Sequence, residues 1–250
     1  MERLRAREGI DANVPMTYAG RLDPAAEGEL IILVGDECKN KDAYSGLSKT
    51  YVAEILFGVS TDTYDLLGLP KLSEALSKSS FKKATRRACS RASFSAPSAC
   101  ERPSLKEDLL SAYLDSRIGK QMQMYPAYSS KTVGGVQLHA HARAGKDVDL
   151  PIHEVELIAY ADLTVGLRTR AEVIDRVRDL TSIVKGDFRQ TEILESWTSL
   201  VTELPEELLA VKVHLTVSSG FYIRQFAHDI GEVFGADTCL YSLVRNHIEQ

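Results

Sequence analysis

The stretch VKVHLTVSSGFYIRQFAHDIGEVF, residues 211–234, decides the fold class. Its first seven residues alternate: Val211, Val213, Leu215 and Val217 turn one way, Lys212, His214 and Thr216 the other. That is the period of a strand with one buried face. Gly220 ends the alternation, and Ile223, Phe226, Ala227, Ile230 and Phe234 then form a single helical stripe. Working outward, Thr50–Phe57 (TYVAEILF) alternates again, with Tyr51, Ala53, Ile55 and Phe57 opposite Val52, Glu54 and Leu56. Glu29–Val34 is a short apolar run of strand length. Ala171–Lys185 places Val173, Ile174, Val177, Leu180 and Val184 at helical spacing and closes at Gly186. Ser104 and Glu107 form a capping box ahead of Leu109, Leu110, Tyr113, Leu114 and Ile118. Strands and helices mix without a regular βαβ rhythm. This predicts an α+β fold, a mixed and largely antiparallel central sheet flanked by helices. No internal repeat is visible.

Composition bounds the function. The 250 residues are 44% hydrophobic and 26% charged, the balance of an ordinary globular protein with one large domain or two modest ones. A net charge of −5 argues against wholesale coating of nucleic acid and leaves room for a local basic face. The longest apolar run, Leu30–Val34, is far too short to span a bilayer, and the charged start MERLRAREGID has no signal-peptide core. Cys38, Cys89, Cys100 and Cys239 lie far apart with no C-x-x-C pair, which argues against a disulfide framework or a zinc knuckle. Reduced thiols in the cytoplasm are the expectation. Residues 1–17 read as a ragged start, with regular structure beginning near Tyr18 and one domain filling 18–250. Leu66–Arg102 is rich in Ser, Ala, Lys and Arg. From Lys78 to Arg91 it carries Lys78, Lys82, Lys83, Arg86, Arg87 and Arg91 without one acid. Residues 70–103 or so therefore read as an insertion or loop, either merely solvated or set against an RNA backbone.

Four stretches can hold chemistry. Gly20-Arg21-Leu22-Asp23-Pro24 is either an ordinary Asp-Pro turn or a carboxylate held on a rigid turn at the mouth of a sheet. Tyr51 opens its strand as a core aromatic or as a stacking platform for a flat ligand, and the acidic turn Thr61-Asp62-Thr63-Tyr64-Asp65 follows it. Tyr222 and Arg224 fall in or near the first turn of a helix, whose dipole disfavours a cation there. A carboxylate brought in from elsewhere would compensate, and Asp23 is the candidate. Last, Gln123–Gly145 holds Pro126, Ser129, Ser130, Lys131, Arg143 and the pair His139-x-His141, which has no further ligand at metal spacing.

In this order the four stretches resemble the tRNA pseudouridine-55 synthase family of TruB type. Gly20–Gly28 matches the family's G-x-L-D-P-x-A-x-G, with Asp23 at the nucleophile's place. Tyr51 falls on the tyrosine that stacks on the target base, and Asp65 on the acid of the T-D-T-x-D turn. Pro126–Gly145 resembles P-x-x-S-A-x-K … A-R-x-G, which makes the two histidines ordinary substitutions and removes the metal. Tyr222-Ile223-Arg224 matches Y-I-R, Asp229-Ile230-Gly231-Glu232 matches D-L-G-E, and Leu243 lands on the leucine bordering the pocket. The likeness runs from about Tyr18 to Arg245, interrupted by the basic stretch and by residues 168–200.

The resemblance implies a pseudouridine-synthase-like fold with catalytic Asp23, Tyr51 and Arg224, and with Tyr18, Asp65, Tyr222 and Leu243 on the substrate. It implies no cofactor and no metal. The partner it implies is the T-arm stem-loop of tRNA, whose uridine 55 a cytoplasmic monomer isomerises. One carboxylate suffices to attack or stabilise an electron-poor sugar carbon, as in retaining glycosidases. An ion pair with Arg224 would hold that carboxylate charged. There are departures. Tyr18 stands where the family has a histidine, and Arg21 stands where it has a small residue. G-R-L-D is shared with the ribosomal-RNA synthases of RsuA/RluA type, which are the alternative reading. A non-catalytic tRNA-binding or folding protein is the other. The family's K-P-x-G strand is absent from residues 1–17 and its PUA domain is absent too, which predicts a true start upstream of Met1 and an unpaired sheet edge.

Overall fold

The computed structural model describes residues 1–72 and 104–249. In chain order the strands are β1 (Met16–Ala19), β2 (Ala26–Gly28), β3 (Ile31–Val34), β4 (Lys49–Phe57), β5 (Ser60–Thr61), β6 (Pro70–Lys71), β7 (Gly119–Met124), β8 (Thr132–Val133), β9 (Val136–Gln137), β10 (Ile152–Thr169), β11 (Glu207–Val217) and β12 (Thr238–Ile248). The helices are α1 (Glu2–Glu8), α2 (Lys41–Gly46), α3 (Ser104–Arg117), α4 (Leu138–Arg143), α5 (Arg170–Ile183), α6 (Gln190–Leu200) and α7 (Ile223–Phe234). Six strands form the central sheet in the order β2-β12-β4-β11-β10-β7. Every pairing in it is antiparallel except β2 with β12. The expected mixed, largely antiparallel sheet is therefore present.

The alternation in β4 and β11 has a physical cause, since helices cover both faces of the sheet. Ala53, Ile55 and Phe57 join Val211, Val213, Leu215 and Val217 in one core, closed by Leu110 and Leu114 of α3 and by Ile223, Phe226, Ala227 and Ile230 of α7. Leu56 points the other way, into a second core with Val173, Ile174, Val177 and Leu180 of α5 and with Ile193 and Trp197 of α6. α5 begins at a reciprocal capping box between Thr169 and Glu172. In β12 the register slips between Leu240 and Ser242, so Leu240 and Leu243, three residues apart, both face the first core. Among the described residues no helix is long and apolar enough to cross a membrane.

Five expectations need correction or completion. Residues 1–17 are not irregular, for α1 occupies Glu2–Glu8 and β1 begins at Met16. α1 buries no residue, so it shows no apolar period, yet its Glu, Arg, Leu and Ala are strong helix formers and Gly9 ends it at φ 64°. Arg5 fastens it to the following loop by bonds to the Asp11 and Val14 carbonyls. Likewise, the polar segment does not begin at Leu66: Leu66 and Leu67 are buried in the second core, and Pro70–Lys71 pairs with β5. Ile118 does not extend the stripe of α3 but stands half exposed beyond its end. Glu107 accepts from the Val165 N–H, while the side chain of its partner in the expected capping box, Ser104, lies outside the described residues. So do Lys78, Lys82, Lys83, Arg86, Arg87 and Arg91.

Candidate active site

The turn between β1 and β2 carries Asp23. Pro24 supplies the φ that the second position of a β-turn wants, and the Ala26 N–H closes the turn onto the Asp23 carbonyl at 2.9 Å. Gly28 ends the strand after it at φ 110°, where a Cβ would run into the backbone of Arg245 across the parallel β2–β12 pair. Glycine is the residue that lets the turn lie this close to the sheet.

Arg224 sits in the first turn of α7, and its fork grips Asp23 with two bonds, Nε to Oδ2 at 2.7 Å and Nη2 to Oδ1 at 2.9 Å. The pair joins residues 201 positions apart. Nη1 donates to the Thr63 carbonyl at 2.8 Å and Nη2 also to that of Tyr128 at 3.2 Å. A second carboxylate, Asp65, lies 3.6 Å from Nε. Burial opposes the charge on Arg224, but Asp23 and Asp65 together outweigh it and push its pKa up. The unfavourable end of the helix dipole is thus offset twice.

The turn Thr61–Asp65, acidic though it is, has Thr61, Thr63 and Asp65 buried. Asp65 accepts from the Thr63 hydroxyl at 2.7 Å and from the Leu67 N–H at 3.0 Å. Burial raises its pKa; Arg224 and these two donors oppose the rise, and Asp23 adds to it. The two acids therefore differ in kind. The side chain of Asp23 keeps 30% of its surface open to solvent, whereas that of Asp65 keeps 5%. Asp23, Asp65, Arg224, Leu240 and Leu243 line one small cavity.

Tyr51 is partly buried against the first core. Burial raises the pKa of its phenol, while a hydrogen bond and the charge from Arg245 pull it back. Strand register puts Arg245 directly opposite Tyr51, and Leu243 opposite both Ala53 and Ala26. Tyr222 takes the N-cap position of α7. Its backbone is clamped by Gln123, which accepts from its N–H at 2.8 Å and donates to its carbonyl at 3.0 Å. Burial, then Asp23, raises the pKa of the Tyr222 phenol. Of the expected set, Asp23, Arg224, Asp65 and Leu243 are brought into one cavity, and Tyr51 and Tyr222 lie within electrostatic reach of Asp23. Tyr18 turns instead toward Arg21, which donates to its hydroxyl at 3.3 Å and lowers its pKa, first by that bond and then by charge. His139 and His141 each meet a backbone carbonyl, of Ser129 and of Val133.

Sequence reasoning missed two buried cations. Arg245 is 1% exposed and bonds the Glu29 carbonyl at 2.6 Å and the Gly20 carbonyl at 3.1 Å, fastening both ends of the segment that carries Asp23. Lys49 is buried beside it and donates to the Ser45 and Leu47 carbonyls. The signal was there: Arg245 stands two residues after inward-facing Leu243, hence on the same face of its strand. A surface groove of about 810 Å³ beside the start of α5 shares no residue with the Asp23 cavity.

The N-terminal domain of TruB family pseudouridylate synthases matches residues 12–101. The chain is 31% identical over 255 aligned residues to tRNA pseudouridine synthase B of Deinococcus radiodurans, covering 96% of this chain and 67% of the relative. It is 28% identical to the enzyme of the same name from Xanthomonas campestris, over 93% of this chain and 54% of the relative. The chain thus spans roughly half to two thirds of the length of such relatives. Among solved structures, a complex of Cbf5 with Nop10 and Gar1 aligns with 99% of this chain and 43% of its own at TM-score 0.47 and 13% identity.

Proposed function

The chain belongs to the TruB family of pseudouridine synthases, and from that premise we propose that it isomerises a uridine of tRNA to pseudouridine, at position 55 of the T-arm. The observation that best supports this reading is the two-bonded Asp23–Arg224 pair at the edge of a cavity walled by Leu243. Isomerisation breaks the bond between C1′ and N1, turns the uracil, joins C5 to C1′, and moves the C5 proton away while N1 gains one. Asp23 is paired with Arg224 and presented from a rigid turn, so it can bond to or stabilise C1′ while the base is detached. Arg224 fixes its oxygens, and a nucleophile held in one geometry has much of its ordering entropy removed in advance. Tyr51 stacks on the extruded base and is the candidate acceptor of the C5 proton. Asp65 positions Arg224; Tyr222 and Leu243 flank the base; Tyr18 meets the RNA beside Arg21. No step in this scheme calls for a redox group or a metal. The protein acts as a cytoplasmic monomer, and Lys78, Lys82, Lys83, Arg86, Arg87 and Arg91 contact the RNA backbone.

The test is tritium release from tRNA transcript labelled at C5 of uridine, with binding measured on the same RNA. The wild-type chain should release label, and Asp23→Asn should release none while binding tRNA within about twofold and melting at nearly the same temperature, because shape is kept and charge is lost. Turnover in pure Asp23→Asn would remove the nucleophile assignment. A wild-type chain that binds tRNA and releases nothing would be a non-catalytic tRNA-binding protein.

A further inference from the structure

Residues 168–200 interrupt the family motifs, and α5 and α6 within them have so far only covered one face of the sheet. Their connection reaches the active site through one side chain. Arg189, immediately before α6, has φ 59° and ψ 31°, a left-handed conformation that costs a residue with a Cβ and persists only where the surroundings impose it. Gln190 imposes it here, donating to the Val184 and Gly186 carbonyls and accepting from the Phe188 N–H. The Arg189 side chain, about one fifth exposed, pairs with Asp62 Oδ2 at 2.8 Å and lies over the ring of Tyr128 with its guanidinium 4.8 Å from the centroid.

Those two contacts fall on the segments that cradle Arg224. Asp62 is next to Thr63, whose carbonyl accepts from Arg224 Nη1, and the Tyr128 carbonyl accepts from Arg224 Nη2. The other oxygen of Asp62 accepts from the Leu69 N–H at 2.7 Å, closing the loop that holds Asp65. Two further bonds fasten the same unit: Trp197 Nε1 to the Gly68 carbonyl at 3.1 Å, and Arg143 to the Asp187 carbonyl at 2.7 Å.

We infer that Arg189 is a positioning residue for the isomerisation, through which the α5–α6 unit sets the two carbonyls that aim Arg224 at Asp23. The inference rests on the proposed function. A guanidinium suits the task because its plane stacks on Tyr128 while its edge pairs with Asp62, whereas an ammonium can satisfy only the charge.

The experiment compares wild type, Arg189→Met, Arg189→Lys and Asp62→Asn. It measures single-turnover pseudouridine formation, the Kd for the same tRNA, and hydrogen exchange in peptides covering residues 61–69. Arg189→Met should lower the single-turnover rate about tenfold, leave Kd within about twofold, and speed exchange over 61–69. Arg189→Lys should recover part of the rate. Asp62→Asn breaks the pair from the other side and should behave like Arg189→Met, and it serves as the measured variant if Arg189→Met does not fold. Rates within twofold of wild type would overturn the inference even if exchange changed. If wild type itself turns over no RNA, the proposed function fails, and the exchange data still decide the brace: unchanged exchange over 61–69 would remove it.

Discussion

A single guanidinium does two things at the centre of this site that no other side chain could do together. Arg224 clasps Asp23 with two parallel bonds and satisfies two backbone carbonyls at the same time. Arg224→Lys keeps the charge but loses the fork, so single-turnover pseudouridine formation should fall more than about tenfold with tRNA affinity little changed. A near wild-type rate would show that charge alone suffices. Lys49 allows a second measurement. Burial, helped by Arg245, holds its pKa below the ordinary 10.5. Between the folded value and the unfolded one the unfolded chain binds the proton more tightly, so this group adds stability as pH rises through that window, and the gain is complete above 10.5. Lys49→Met lacks the titration. The melting temperature of wild type minus that of the variant should therefore increase as pH rises toward 10.5, and a flat difference would contradict burial of the cation.

The elements meet at Asp23 because a three-residue strand pairs in parallel with the middle of β12 while the rest of the sheet is antiparallel. The sequence showed a run from Glu29 to Val34 and missed β2, since three residues carry no period. The separate β1–β3 ribbon was half visible for a related reason: Tyr18 and Ile32 pair at its centre, but the strand is only four residues long. Gly28→Ala tests the joint. The positive φ alone should cost about 1–3 kcal/mol, before any collision with the Arg245 backbone. Stability in denaturant should drop by at least that amount, and turnover should fall further than stability, because Asp23 is carried on the same segment. Loss of stability with full activity would mean that Asp23 does not depend on this pairing. By contrast, the bulge in β12 had no signature at all. Leu240 and Leu243 point to one core only because the register slips between them.

At the scale of the whole molecule, a chain of net charge −5 is proposed to hold a polyanion. The six cations from Lys78 to Arg91 occur without an acid among them and lie outside the described residues. Each contact with a phosphate releases a counterion, so replacing all six by neutral residues should flatten the dependence of tRNA affinity on salt while leaving the rate of bound RNA unchanged. Equal salt slopes would assign the stretch to solvent.

The amino-acid pattern by itself determined β4, β11, the amphipathic helices α3, α5 and α7 and the pairing of Asp23 with Arg224, because burial leaves a period on each of these elements and a cation at a helix start demands an anion. What lies between elements was decided only by tertiary structure. Arg245 reached Tyr51 through strand register, Tyr18 was turned toward Arg21, and a turn rich in acids and threonines was buried under Arg224. α1, which buries nothing, left no apolar stripe to read. A side chain's own element fixes the face it points to. Its partner is fixed by the register, bulges and turns of the segments packed against it, and those depend on the whole chain at once.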